Sequence, residues 1–206
     1  MEKPTSFDMI LSWVVLGMMA PIGLMLFFWW GSILCGLTNE QTIGILTVSG
    51  LLTGTIADAT ILRRHLGKLF ALPISALIGI AGFYSLGIYG FSMGVPVLNV
   101  FVGSGMSYIV AKKRLYGKAK PEESEQEARL MEGISAGILF VACIGSALLA
   151  LNEESIEDEL QQMLRLSFTV TRGMIWILIV GGGLALLIFQ YLLSKFVYRW
   201  VIRKAA

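Results

Sequence analysis

Charge in this chain is confined to the gaps between long uncharged stretches, and that alternation limits the fold more than any motif does. The uncharged stretches are residues 9–35, 69–111, 133–152 and 173–194, and a further apolar segment, 43–62, is interrupted only by Asp58. A helix rises about 1.5 Å per residue, so about 20 apolar residues cross roughly 30 Å of hydrocarbon. The run 69–111 is twice that length and divides within 87–96, where Gly87, Gly90, Ser92, Gly94 and Pro96 supply turn chemistry. Six spans follow, at about 9–35, 43–62, 69–89, 93–111, 133–152 and 173–195. The expected fold class is all-α, a polytopic integral membrane protein. Only 15% of the 206 residues are charged, against about 25% in soluble domains. The segments between spans are too short for a separate soluble domain, so residues 1–206 read as a single transmembrane helical domain.

The basic residues choose a side. Arg63, Arg64 and Lys68 follow the second span, with His65 among them; Lys112, Lys113, Arg114, Lys118, Lys120 and Arg129 follow the fourth; Lys195, Arg199, Arg203 and Lys204 follow the sixth. Together with Lys3, these are all of the 16 Lys and Arg residues except Arg165 and Arg172. The excess of positive charge marks the cytoplasmic face. The opposite face receives Glu40 and the cluster Glu153, Glu154, Glu157, Asp158 and Glu159. Trp13 and Trp200 then sit at the inner interface and Trp29, Trp30 and Trp176 at the outer one, as an aromatic belt requires. The topology is N-in and C-in, and the expected location is the plasma membrane of a prokaryote.

The first apolar run is longer than the 7–15-residue core of a signal peptide, and no Ala-x-Ala site closes it, so it reads as a retained helix kinked at Pro21. Residues 112–130 form a charged cytoplasmic loop. Its basic residues, Lys112, Lys113 and Arg114, together with Arg63 and Arg64, are placed to contact anionic lipid headgroups, each contributing about 1 kcal/mol near the surface. Residues 153–171 form an acidic, amphipathic outer segment, with Ser155 as a cap and apolar residues at 156, 160, 163, 164 and 168.

Small residues recur at helix-packing spacing: Gly50 and Gly54 in span two, Gly133 and Gly137 in span five, Gly181 and Gly183 in span six. Such spacing lets backbones approach closely, within one chain or between chains. The pairs Gly50–Gly54 and Gly133–Gly137 occupy comparable places in two halves of three spans, the pattern of an inverted repeat.

Polar side chains at membrane depth point to function because lipid penalises them. Asp58 lies five residues before Arg63, behind the stripe Gly50, Gly54 and Ala57. It is placed either to bind a cation or relay a proton, or to pair with Arg63, Arg64 or a base on another helix. Asn99, Gly103 and Ser107 fall at successive i+4 positions and make a polar stripe, and Gln190 and Ser194 share a face of span six with Trp176 and Gly183. Asp58, Asn99, Ser107 and Gln190 are the candidate path-lining residues. Glu132 opens span five within reach of Arg129, and Arg172 reads as an interface anchor at the outer end of span six.

Other chemistries have little to stand on. One histidine supports neither a bis-His haem nor a His-based zinc site. Cys35 and Cys143 sit at different depths and are expected as two free, buried thiols. No phosphate loop, nucleophile elbow or pair of intramembrane carboxylates is present, so neither a catalytic residue nor a metal or other cofactor is assigned, and the basic loops are too short for nucleic acid. The expected function is a small channel or transporter for an ion or polar solute, with a polar path along spans two and four. The alternative is a non-catalytic anchor or accessory subunit of a larger membrane complex, and a membrane-embedded lipid enzyme is a third reading. The implied partners are the lipid bilayer and either further copies of this chain or a partner membrane subunit.

Overall fold

The computed structural model describes residues 4–60, 67–91, 96–152, 156–163, 165 and 167–205. Among them the chain is all-helical: α1 (Ser6–Gly17), α2 (Met19–Leu34), α3 (Glu40–Thr60), α4 (Ile74–Phe91), α5 (Asn99–Leu115), α6 (Pro121–Asn152), α7 (Ile156–Met163) and α8 (Arg172–Ala205), with 3-10 turns at Leu69–Ala71 and Pro96–Leu98. Four helical stretches are long and apolar enough to span a membrane: Ser6–Leu34, α3, α6 and α8. Their large apolar side chains, Phe27, Leu34, Val141 and Ile177 among them, are mostly exposed, an outer surface suited to lipid. Helices α4 and α5 are shorter, at 18 and 17 residues.

The chain forms two compact units, Met1–Pro73 with Lys113–Ala119, and Ile74–Lys112 with Lys120–Ala206. In the first unit α1 and α2 continue one another across a single non-helical residue, Met18. The bend has a plain cause. Pro21 has no N–H to give the carbonyl of Gly17, so the regular ladder stops at Gly17 and restarts at Met19, with Pro21 in the first helical turn where its missing donor costs nothing. The break therefore falls one turn ahead of the proline rather than at it. α3 packs against α2 through its two buried glycines. A Cβ on Gly50 would lie 2.6 Å from the Leu24 carbonyl oxygen, and one on Gly54 would lie 2.5 Å from both the Ala20 carbonyl oxygen and Pro21 Cα.

In the second unit α6 and α8 form an antiparallel pair in constant register. The Arg172 guanidinium donates to the Leu151 carbonyl at 2.6 Å at one end, a Cβ on Gly183 would lie 4.0 Å from Cys143 Cβ along the length, and the hydroxyls of Ser124 and Tyr198 meet at 3.1 Å at the other end. α4 lies along α6, with the Tyr89 hydroxyl against Gly145, where a Cβ would be 2.9 Å away.

Several boundaries differ from the sequence reading. The charged loop placed at 112–130 is mostly helix, because Pro121 opens α6 at its first position and Glu122 and Glu123 favour the positive end of the helix dipole. The Lys120 N–H adds a bond to the Glu123 carboxylate at 3.2 Å. The helix expected as span three begins at Ile74 rather than at 69, since Leu69–Ala71 is a 3-10 turn and Pro73 precedes the helix. The helix expected as span four begins at Asn99 rather than at 93. Arg63, Arg64, His65, Ser92, Gly94, Glu153, Glu154 and Ser155 lie outside the described residues.

Candidate functional site

The buried polar groups of the second unit come together around Gly103. Asn99, Gly103 and Ser107 stand one turn apart on α5, and the Gln190 amide of α8 is seated directly on Gly103, so that an added Cβ there would be 2.3 Å from Gln190 Nε2. Only glycine leaves the amide that place. Asn99 and Gln190 are each 2% exposed, and the Asn99 amide nitrogen and oxygen and Gln190 Oε1 find no hydrogen-bond partner among the described residues. Ser194, one turn beyond Gln190 on α8, and Ser135 on α6 are likewise buried, with hydroxyls that lack a partner among the described residues. Counting along the antiparallel α6–α8 pair from the Ser124–Tyr198 contact puts Ser135 within a turn of the level of Gln190. Ser107 is satisfied locally, its hydroxyl donating to the Gly103 carbonyl at 3.2 Å. Val100, Met106, Ile109 and Val110 on α5 and Leu139 on α6 are buried as well.

Orphaned amides are unusual in a folded interior. A buried donor or acceptor left unmade costs about 1–3 kcal/mol, and native proteins keep few of them. Five side chains with unmade bonds among the described residues of one unit, Tyr89 together with Asn99, Ser135, Gln190 and Ser194, are a polar feature held at a cost, and one that a polar ligand would relieve.

Charge flanks this layer at the end of α8. Glu132 on α6 feels the positive charges of Lys195, Arg199 and Arg129. Three lysines are held against the aromatic ring one turn earlier on their own helix: Lys112 Nζ is 6.0 Å from the Tyr108 ring, Lys195 Nζ 5.3 Å from the Tyr191 ring and Lys204 Nζ 5.3 Å from the Trp200 ring. Of the basic residues expected at lipid headgroups, Lys112 and Arg114 are half-buried, while Lys113 is buried and is not available to a headgroup.

Asp58 belongs to the first unit. It is half-buried, continues the Gly50–Gly54 face of α3 by one more turn, and its Oδ1 is buried without a hydrogen-bond partner among the described residues. Extending the antiparallel α2–α3 register from the Gly50 and Gly54 contacts brings Asp58 to the level of the Gly17–Met18 break. The other small-residue positions behave differently. Around Gly133, Gly137 and Gly181 a Cβ would meet nothing within 4 Å, and at Gly183 only an ordinary contact, so these glycines do not key the packing of this chain. The two halves of the supposed inverted repeat are therefore unlike where they were to match. Of the two free cysteines, Cys143 is half-buried, but Cys35 is exposed, because α2 ends at Leu34 and the chain turns at Gly36, whose φ is +76°.

The first unit holds a polar cluster that the sequence reading passed over. Asp8 is fully buried, and Thr5 and Asp8 form a capping box: the Asp8 N–H donates to Thr5 Oγ1 at 3.2 Å, and the Asp8 carboxylate accepts from the Thr5 N–H at 3.2 Å and from Thr5 Oγ1 at 2.6 Å. The Tyr116 hydroxyl donates to the same carboxylate oxygen, and the Tyr116 ring meets the edge of Phe70 with centroids 5.3 Å apart. The Leu69 N–H donates to the buried Ser12 hydroxyl at 3.3 Å. The start of α1, the 3-10 turn at Leu69–Ala71 and the segment after α5 are tied by these bonds into one buried joint. Thr5-x-x-Asp8 ahead of an apolar run was a readable cap signal, whereas nothing local announces Tyr116, which is 108 residues away. Ser135 and Tyr89 were missed because single hydroxyls in apolar helices are common and carry no periodic signal.

Among the described residues no group of three or more His, Cys, Asp or Glu side chains is placed to hold a metal ion. No protein-family model, curated protein or solved structure matches the chain.

Proposed function

We propose that this protein is a six-span channel or transporter of the plasma membrane, with both termini in the cytoplasm, and that a small polar solute or ion crosses along the α5–α8 contact of the second unit. The single observation that carries the reading is the Gln190 amide, buried on Gly103 with its carbonyl oxygen unpaired among the described residues and the unpaired Asn99 amide one turn away on α5. Polar groups at membrane depth are costly, and an unpaired one is a functional-site candidate by default. The six crossings take α4 and α5 as short spans, about 27 and 26 Å long at helical rise, joined on the outer side. The distribution of Lys and Arg supports the orientation, and Lys112, Lys195 and Lys204 would mark the inner interface.

The test is release of trapped solutes and ions from vesicles that contain the purified chain, against protein-free vesicles. Faster release of at least one small polar species is expected. Release at the protein-free rate for every solute and ion tried would refute the reading.

A further inference from the structure

We infer that the solute is small and uncharged and carries both a hydrogen-bond donor and an acceptor, as simple amides and polyols do, with Asn99 and Gln190 reading it and Gln190 closing the way. The inference rests on the transport reading above and names the substrate class of the same site.

The first support is what the layer lacks. The stretches 69–111, 133–152 and 173–194, which supply α4 and the apolar parts of α5, α6 and α8, contain no Asp, Glu, Lys, Arg or His. An ion brought to that depth needs an opposite charge or a dense ring of oxygen ligands in place of its water. The nearest charged groups of this unit are Lys112 on α5, Glu132 on α6 and Lys195 on α8; Glu132 comes near the level of Gln190, where the positive charges of Lys195, Arg199 and Arg129 offset it. The side chains that do face the interior are neutral and two-sided. Asn99 offers two N–H donors and an acceptor, Gln190 offers Oε1 as an acceptor, and the Ser135 and Ser194 hydroxyls can donate or accept. A solute with both kinds of group satisfies such a lining, whereas a cation uses only its oxygens and an anion only its donors.

The second support is the fit at Gly103. The Gln190 amide lies against bare backbone with no room for one more carbon, so the path is shut by a flexible side chain and not by a helix. Swinging that side chain aside needs only torsions about its own bonds. The same amide that closes the path then bonds the solute that displaces it. Selection follows from leaving the amide unpaired when the solute cannot replace its bonds.

The experiment uses the purified full-length chain in phosphatidylcholine–phosphatidylglycerol vesicles. Entry of urea and of glycerol is followed by stopped-flow light scattering, and potassium flux by a potential-sensitive dye in the same vesicles. Protein-dependent entry of urea or glycerol is expected, with potassium at the protein-free rate. Gln190→Leu and Asn99→Leu, each checked for a monodisperse helical protein, are expected to lower solute entry by about tenfold or more, as loss of a transition-state hydrogen bond does. Gln190→Asn, which keeps an amide, is expected to retain most of it. Potassium flux with no solute entry would overturn the solute class and leave the transport reading standing. Neither flux would overturn both. Unchanged solute entry in folded Gln190→Leu and Asn99→Leu would overturn the assignment of these two residues.

Discussion

Replacing Gly54 by alanine adds one methyl group where two helices already touch. The new Cβ would lie 2.5 Å from the Ala20 carbonyl oxygen and 2.5 Å from Pro21 Cα, both backbone atoms that no side-chain rotation can clear. Ordinary contact begins near 3.4 Å, so α3 must draw back from α2 by about 1 Å at this point. A gap of that size forfeits up to about half of each neighbouring dispersion contact, and overpacking of this kind costs about 1–3 kcal/mol. The alanine itself favours the helix by about 0.8–1.0 kcal/mol over glycine, which offsets only part of the loss. Gly44 on the same helix supplies the control, because a Cβ there meets nothing within 4 Å and only the helix-propensity gain remains. The assay is unfolding in mixed micelles followed by circular dichroism. Gly44→Ala should be at least as stable as the natural chain and Gly54→Ala less stable than Gly44→Ala, the propensity gain cancelling between them and leaving the overpacking cost of about 1–3 kcal/mol. Gly50→Ala should resemble Gly54→Ala, since its Cβ would be 2.6 Å from the Leu24 carbonyl oxygen. Equal stability of Gly44→Ala and Gly54→Ala would show that the glycine face does not set the α2–α3 contact.

Three further outcomes are expected. Tyr116→Phe removes one donor from the buried Asp8 carboxylate while keeping the ring on Phe70, and should cost about 1.5–3 kcal/mol in the same unfolding assay, with Asp8→Ala costing more because Thr5 and Tyr116 both lose their acceptor; a neutral Tyr116→Phe would exclude the joint. A membrane-impermeant maleimide added to intact cells should label Cys35 and leave Cys143 unmodified, because Cys35 is exposed beyond α2 and Cys143 is half-buried within α6; labelling of Cys35 only from the cytoplasmic side would reverse the topology. Arg172→Ala should change global stability by less than about 1 kcal/mol, since its 3.8 Å contact with Glu157 is largely exposed, yet hydrogen exchange should quicken at the end of α6, where the Leu151 carbonyl loses its donor.

The helices were legible because their signal is local. Runs without charge, long enough to cross hydrocarbon, predict helices wherever they occur, since every backbone group must be paired within its own segment. The runs 9–35, 43–62, 133–152 and 173–194 gave α1–α2, α3, α6 and α8 in this way. Their ends were less legible, because α6 reaches back from residue 133 through charged sequence to Pro121, where caps and dipole decide and apolar length does not.

The polar stripe of Asn99, Gly103 and Ser107 could be drawn from spacing alone, as could the separate face bearing Gln190. That the Gln190 amide rests on Gly103, and that Asp8 is held by Tyr116, could not. The sequence by itself determined which segments are helical, which faces of them are small or polar, and where charge is excluded. Tertiary structure decided which glycines bear a neighbour and which polar groups meet. Gly50 and Gly133 look alike in their own helices, but one faces a carbonyl oxygen and the other faces open space. The reason is physical: hydrogen bonding and hydrophobicity act along a helix with a fixed period, whereas contact between helices depends on how far and at what angle they approach, and no single segment encodes that.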